Sequence, residues 1–201
     1  MLIVERSTIS MASKFCQSSS HGTALGSRDT RNGEAGMPEI ESNSESIDYL
    51  EDPIGAARRG TNPTVIGRMR SGWAVMGSTQ HLPGYCILMH DGNADQLTEL
   101  PRADRLTFIQ DLVLLGEAVE RACRATDPDF LRINYEVQGN QWQHLHGHIH
   151  ARYQWEPDHL RIGPVALYGL DREAPEHRLG SRHDPLRAAI STALQEVVAE
   201  R

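Results

Sequence analysis

Four of the chain's ten histidines fall within seven residues, at His144, His146, His148 and His150, in the stretch "QWQHLHGHIHARY". Imidazole does three kinds of chemistry: it ligates metals, moves protons near neutral pH, and attacks electrophilic centres such as phosphorus. The spacing of two discriminates among them. In an extended strand alternate side chains share a face, so all four imidazoles project to one side and Leu145, Gly147 and Ile149 to the other. At about 3.3 Å per residue, His144 and His148 stand roughly 13 Å apart and His144 and His150 roughly 20 Å. One metal ion with bonds of about 2.0–2.1 Å to nitrogen can take two adjacent members but not the row. The sequence has no second HxH, no HExxH and no CxxC to complete such a site, and Glu156 lies off the spacing of a cupin motif. A nucleophilic imidazole flanked by two imidazoles that orient it and donate hydrogen bonds to phosphoryl oxygens fits the pattern directly. A metal held by two adjacent histidines is the alternative.

These residues must be positioned by a sheet. "FLRINYEV" (130–137) reads as a strand with Leu131, Ile133, Tyr135 and Val137 on one face, "QGNQ" as a turn, and "WQHLHGHIHARY" (142–153) as the histidine strand. Upstream, "TVIGRM" (64–69), "GWAVMG" (72–77) and "GYCILM" (84–89) are short strands bounded by Gly and Pro. Between these groups "PRADRLTFIQDLVLLGEAVERACRATDP" is a long helix. Leu106, Ile109, Val113, Gly116, Val119 and Cys123 recur at helical spacing, and Asp127-Pro128 ends it. "SIDYLEDPIGAARRG" is a short helix closed by Gly60. "HDPLRAAISTALQEVVAER" is a C-terminal helix, with Asp184 as cap, Pro185 in the first turn and Leu186, Ile190, Leu194 and Val197 facing inward. The pattern is α+β: an antiparallel sheet with a long helix packed on it and an additional C-terminal helix.

Bulk properties narrow the partners. At 201 residues one domain is expected. Residues 1–46 are Ser/Gly/Asn/Glu-rich, too polar to offset their ordering entropy, and are expected to be disordered or draped over the surface. The folded domain is placed at 47–201. The net charge of −7 and a pI near 5.8 argue against holding a nucleic-acid polymer by bulk positive charge. Three cysteines, Cys16, Cys86 and Cys123, show no paired spacing, which points to a reducing cytoplasm. No stretch is long enough to span a membrane. No cofactor is expected.

"INYEVQGNQWQHLHGHIHARY" resembles the histidine triad family of nucleotide hydrolases and transferases, whose signature is His-x-His-x-His-x-x with apolar x. Gly139-Asn140 and Arg152-Tyr153 resemble bacterial members, and "PGYCILM", "LTEL" and the long helix resemble the upstream segment of that family. The likeness covers about 80–170 and places the triad on His144, His146 and His148. The resemblance implies that His146 attacks the α-phosphorus of a nucleotide or nucleotide conjugate and forms a nucleotidyl-histidine. His144 and His148 then orient it and bond to phosphoryl oxygens. Asn140 and Gln141 fall near the phosphates and leaving group, Asn134 near the ribose and phosphate, and His150 is assigned to the substrate pocket. It also implies a homodimer paired through the long helix and an edge strand, with Leu112, Leu115 and Trp142 as candidate contacts. A catalytically weak nucleotide-binding module of the same fold is a further alternative.

The departures from the family are Asn93 where a histidine is common, Gly147 in place of a bulkier residue, the additional His150, and the tail past Tyr153, which the minimal fold does not explain. Considered singly, His81, His90, His159, His177 and His183 read as surface residues. Arg152 reads as a surface or inter-subunit ion pair, and Trp142 and Trp155 as core or interface.

Overall fold

The computed structural model describes residues 49–201; the expectation for residues 1–46 lies outside them. The elements, in chain order, are helix α1 (Pro53–Arg59), strands β1 (Val65–Arg68), β2 (Gly72–Met76) and β3 (Cys86–His90), helix α2 (Arg102–Thr126), strands β4 (Phe130–Val137) and β5 (His146–Tyr153), a single turn α3 (Asp158–Arg161), several 3-10 turns, and helix α4 (Asp184–Ala199). The five strands form one antiparallel sheet in the order β1-β2-β3-β5-β4. Helix α2 packs on β3, β4 and β5, and α4 packs beside α2 and on β1. The α+β architecture read from the sequence is the one observed.

Local chemistry sets the boundaries. Asp52 accepts a hydrogen bond from the Gly55 N–H at 2.9 Å and so starts α1. Gly60 ends it in the left-handed region, at φ 76°, where glycine carries no steric penalty. Asp127 ends α2, its Oδ1 accepting from the Asp129 N–H beyond Pro128. Asp184 does not cap α4. It occupies the first turn next to Pro185, makes no capping bond, and its carboxylate pairs with Arg187.

The core lies between the sheet and the two helices. Leu145, just before the histidine strand, and Ile149 and Ala151 within it face it, as do Phe108, Leu112, Leu115 and Val119 of α2 and Ile190, Leu194 and Val197 of α4. The gap at Gly147 is filled by Leu112: a β-carbon there would come within 2.6 Å of the Leu112 Cδ1. The helix therefore sits a methyl group closer to the histidine strand than a bulkier residue would permit.

Three sequence expectations are corrected. The buried face of α2 is carried by Phe108, Leu112, Leu115, Val119 and Cys123, whereas Leu106, Ile109 and Val113 are exposed. The helix is apolar on two sides, and periodicity alone does not say which one meets the sheet. For the same reason Leu112 and Leu115 are core residues and cannot form an intersubunit contact. The histidine strand also begins at His146. His144 precedes it in an irregular turn, where its N–H bonds to the Trp142 carbonyl and the Leu145 N–H to the Ala94 carbonyl.

Candidate active site

Because Leu145, Gly147 and Ile149 face the helices, strand alternation sends His146, His148 and His150 to the opposite face of the sheet. There they line one wall of a cleft of about 1160 Å³. The neighbouring strand completes the wall: β3 pairs Met89 with His146 and Ile87 with His148, and Tyr85 stands just beyond. The roof comes from the segment after α3, which the minimal fold left unexplained. It is tied to the loop before β3 by bonds from the Gln80 N–H to the His177 carbonyl (2.6 Å) and from the Leu179 N–H to the Ser78 carbonyl (2.9 Å).

Three imidazoles are oriented by backbone carbonyls, which accept only, so their tautomers are fixed. His90 donates from Nδ1 to the Ser71 carbonyl (3.0 Å). His144 donates from Nε2 to the His90 carbonyl (2.8 Å). His146 donates from Nδ1 to the His144 carbonyl (2.6 Å). The series begins in the core, where the buried Asp111 of α2 accepts from both the N–H and hydroxyl of Ser71. With Nδ1 of His146 protonated, its Nε2 carries a free lone pair in the cleft. Burial lowers the His146 pKa from its ordinary value, opposed by the bond to His144, so the ring is neutral at pH 7.

His148 stands edge-on to His146, with ring centres 4.6 Å apart, and its Nδ1 meets the Tyr85 hydroxyl at 2.8 Å. Burial foremost, with the neighbouring His146 imidazole and the Arg172 charge, brings its pKa down to about 4. Burial also pushes the Tyr85 phenol upward, so it keeps its proton. His150 lies flat on the Tyr85 ring at 4.4 Å, and burial foremost takes its pKa down to about 3.

The residues singled out from sequence divide into two groups. His146, His148, His150, Asn140 and Gln141 line the cleft. His144 and Asn134 do not: the His144 ring is turned to the His90 carbonyl and stacks on Trp142 at 4.7 Å, and the Asn134 Oδ1 accepts from Arg152 at 3.0 Å. Other readings change. Arg152 forms an ion pair, but a buried one. It is 3% exposed and fully engaged with Glu156, itself 2% exposed, and with the carbonyls of Leu160, Arg161 and Gly163. His81 lies in the cleft and His90 in the positioning series, so neither is an ordinary surface residue. Tyr85, Arg172 and Arg178 also line the cleft. No local sequence pattern marks them, because their proximity to the histidines depends on cross-strand register and on the fold-back of the roof. Among the described residues no group of three or more His, Cys, Asp or Glu side chains is placed to hold a metal ion.

No protein-family sequence model matches the chain, and no curated protein is a significant match. Solved structures do match. A histidine triad protein from Sinorhizobium meliloti 1021 superposes with a TM-score of 0.54 at 21% identity, over 68% of this chain and 93% of that one. A histidine triad protein from Marinobacter aquaeolei VT8 gives 0.51 at 19% identity, covering 72% and 94%. A hypothetical histidine triad nucleotide-binding protein from Sulfolobus tokodaii strain 7 gives 0.52 at 12% identity, covering 72% and 91%. The chain has the fold of the histidine triad proteins.

Proposed function

We propose that the chain is a histidine triad enzyme that cleaves a nucleotide anhydride, ester or phosphoramidate at the α-phosphorus. The observation that carries this reading is the bond from His146 Nδ1 to the His144 carbonyl, which fixes the tautomer and leaves Nε2 as the nucleophile. The lone pair of Nε2 attacks phosphorus, a P–N bond forms, the bond to the leaving group breaks, and the leaving group takes up one proton from solvent as it departs. Water then attacks the nucleotidyl-histidine and releases one proton to solvent, the P–N bond breaks, and nucleoside monophosphate leaves while His146 regains its neutral form. A neutral imidazole is the reactive species, and burial of His146 favours it.

The helpers have separate roles. With the Tyr85 hydroxyl donating to His148 Nδ1, His148 Nε2 bears the ring proton and donates a hydrogen bond to a phosphoryl oxygen. Asn140 and Gln141, on the turn between β4 and β5, reach the phosphate or leaving group from the rim. His144 is a positioning residue whose carbonyl holds His146 and whose ring anchors that carbonyl to β3. No cofactor enters these steps. We also propose a homodimer, formed through the exposed Leu106, Ile109 and Val113 of α2 and the exposed Tyr135 and Val137 of the edge strand β4. The test of the reaction is a hydrolysis screen over dinucleoside polyphosphates, nucleoside phosphoramidates and nucleotide–sugar conjugates, run on wild type and His146→Ala. Turnover by the wild type that falls to background in His146→Ala supports the reading. Equal turnover by both removes His146 from the mechanism.

A further inference from the structure

Among the described residues, five buried side-chain atoms have no hydrogen-bond partner, and three of them belong to two histidines of the cleft: Nδ1 and Nε2 of His81, and Nδ1 of His150. A buried polar atom left unpaired costs about 1–3 kcal/mol, so a cluster of them calls for a partner that arrives with a ligand. His150 is only 5% exposed and lies stacked on Tyr85. His81 stands edge-on to Tyr168, with ring centres 4.9 Å apart. Neither histidine is used by the reaction proposed above. Arg172 lines the same cleft from the roof, where its carbonyl is pinned by the Thr79 hydroxyl. Its one ion pair among the described residues is a long contact to Glu173, at 3.7 Å. A guanidinium presents five N–H donors in a fork that matches phosphate and carboxylate.

The cleft is chemically polarised about His146. On the His144 side, the Trp142 ring lies 4.7 Å from His144 and 5.1 Å from His146, offering a flat apolar face. On the other side, the ring of His148 lies 4.6 Å from His146 and that of His150 a further 6.0 Å along. A nucleoside suits the Trp142 end, and the imidazoles and Arg172 suit an acid. Burial, the neighbouring imidazoles and the Arg172 charge keep His81, at about 4, and His150, at about 3, neutral at pH 7. Each imidazole therefore has one N–H to donate, and Arg172 supplies the positive charge.

We propose that His81, His150 and Arg172 form a second anion subsite, which binds a phosphoryl or carboxylate group carried by the leaving portion of the substrate. The proposal rests on the reading that His146 attacks phosphorus, and it narrows the substrate class to conjugates whose leaving group is itself acidic.

The test has two arms, both on the full chain. In the first, the imidazole NMR signals of His81 and His150 are followed during titration with inorganic phosphate. Saturable shifts of both, with affinity at least tenfold weaker in Arg172→Gln and partly restored in Arg172→Lys, support the subsite. Shifts confined to His146 and His148 overturn it. In the second, kcat/KM is measured for two adenosine 5′-phosphoramidates, one of 4-aminobutanol and one of its phosphate ester, which differ only in the remote anion. Any effect of Arg172 on the triad acts on both substrates and cancels in the ratio. Arg172→Gln should lower the preference for the phosphorylated leaving group at least tenfold; equal losses on both substrates overturn the leaving-group assignment. Absence of turnover of either conjugate by the wild type would count against the proposed reaction itself, and the phosphate titration would still decide whether the subsite exists.

Discussion

Replacing Arg152 by leucine should be among the most damaging single changes in the chain, and the structure gives its size. Arg152 and Glu156 are both nearly inaccessible, and the carboxylate accepts from the Arg152 Nε and Nη2 at 2.8–3.0 Å. Glu156 also accepts from the Tyr153 N–H and the Tyr168 hydroxyl. Burial works to raise its pKa, but the bonds from Arg152, Tyr153 and Tyr168 prevail and the net shift is downward. Arg152→Leu leaves that carboxylate buried and uncompensated, which typically costs about 3–5 kcal/mol. At about 2–4 °C per kcal/mol for a domain of this size, the melting temperature should drop by about 6–20 °C. A group whose folded pKa is depressed stabilises above its unfolded pKa, here 4.5, and loses that contribution as pH falls through the folded value. In Arg152→Leu the sign reverses for Glu156, since burial then dominates and raises its pKa. The gap between wild type and variant should therefore narrow as pH falls, first through the raised pKa of Glu156 in the variant and then through its depressed pKa in the wild type. Thermal and urea unfolding by circular dichroism at pH 7 and pH 4 measures both effects. The double variant Arg152→Leu/Glu156→Leu removes both charges and should lose less than the sum of the two single variants. Strict additivity of the single losses, or a gap that does not change with pH, would refute the idea of a buried pair that holds the roof segment to the histidine strand.

Three further outcomes are expected. His81, His148 and His150 have folded pKa values of about 4, about 4 and about 3, below the ordinary 6.5, so the unfolded chain binds more protons and stability should fall as pH drops from about 6.5 toward 4; in phosphate-free urea titrations His150→Phe should reduce that slope by about one proton, and an unchanged slope contradicts it. Gly147→Ala should destabilise by about 1–3 kcal/mol through overpacking against Leu112, and Leu112→Ala in the same chain should cost less than it does alone; additive losses by chemical denaturation would show that Leu112 does not fill that gap. Val113→Arg should convert a dimer to a monomer by light scattering at micromolar concentration, whereas a wild type that is already monomeric sinks the assembly proposal.

Much of this was legible in the chain because the informative signals are local. The alternation of His146, His148 and His150 with Gly147 and Ile149 marks both the strand and its two faces, and Asp127-Pro128 and Gly60 end their helices where their backbone chemistry requires. The face of α2 was legible only in its second half, where Gly116, Val119 and Cys123 are buried; in the first half Leu106, Ile109 and Val113 repeat with the same period as Phe108, Leu112 and Leu115, and only the sheet decides between them. The role of His144 was hidden too. Alternation puts it in line with His146, but the Leu145 N–H bonds to Ala94, the chain leaves the strand there, and the ring turns to the His90 carbonyl. The roof escaped because short 3-10 turns between Val165 and His183 have no hydrophobic period, and their attachment depends on contacts between distant residues such as Gln80 and His177.

The central claim is that His146 is the nucleophile in a covalent step, and the most direct measurement is intact-protein mass spectrometry after reaction with a nucleoside phosphoramidate or dinucleoside polyphosphate and rapid acid-free quenching. The account predicts a transient adduct of one nucleotidyl group, acid-labile as a phosphoramidate should be, mapped by peptide analysis to His146, enriched when hydrolysis is slowed and absent in His146→Ala. His144→Ala should still form it, because the backbone carbonyl that orients His146 survives the substitution. An adduct on another residue, or rapid turnover by the wild type with no adduct at any time, would contradict the account.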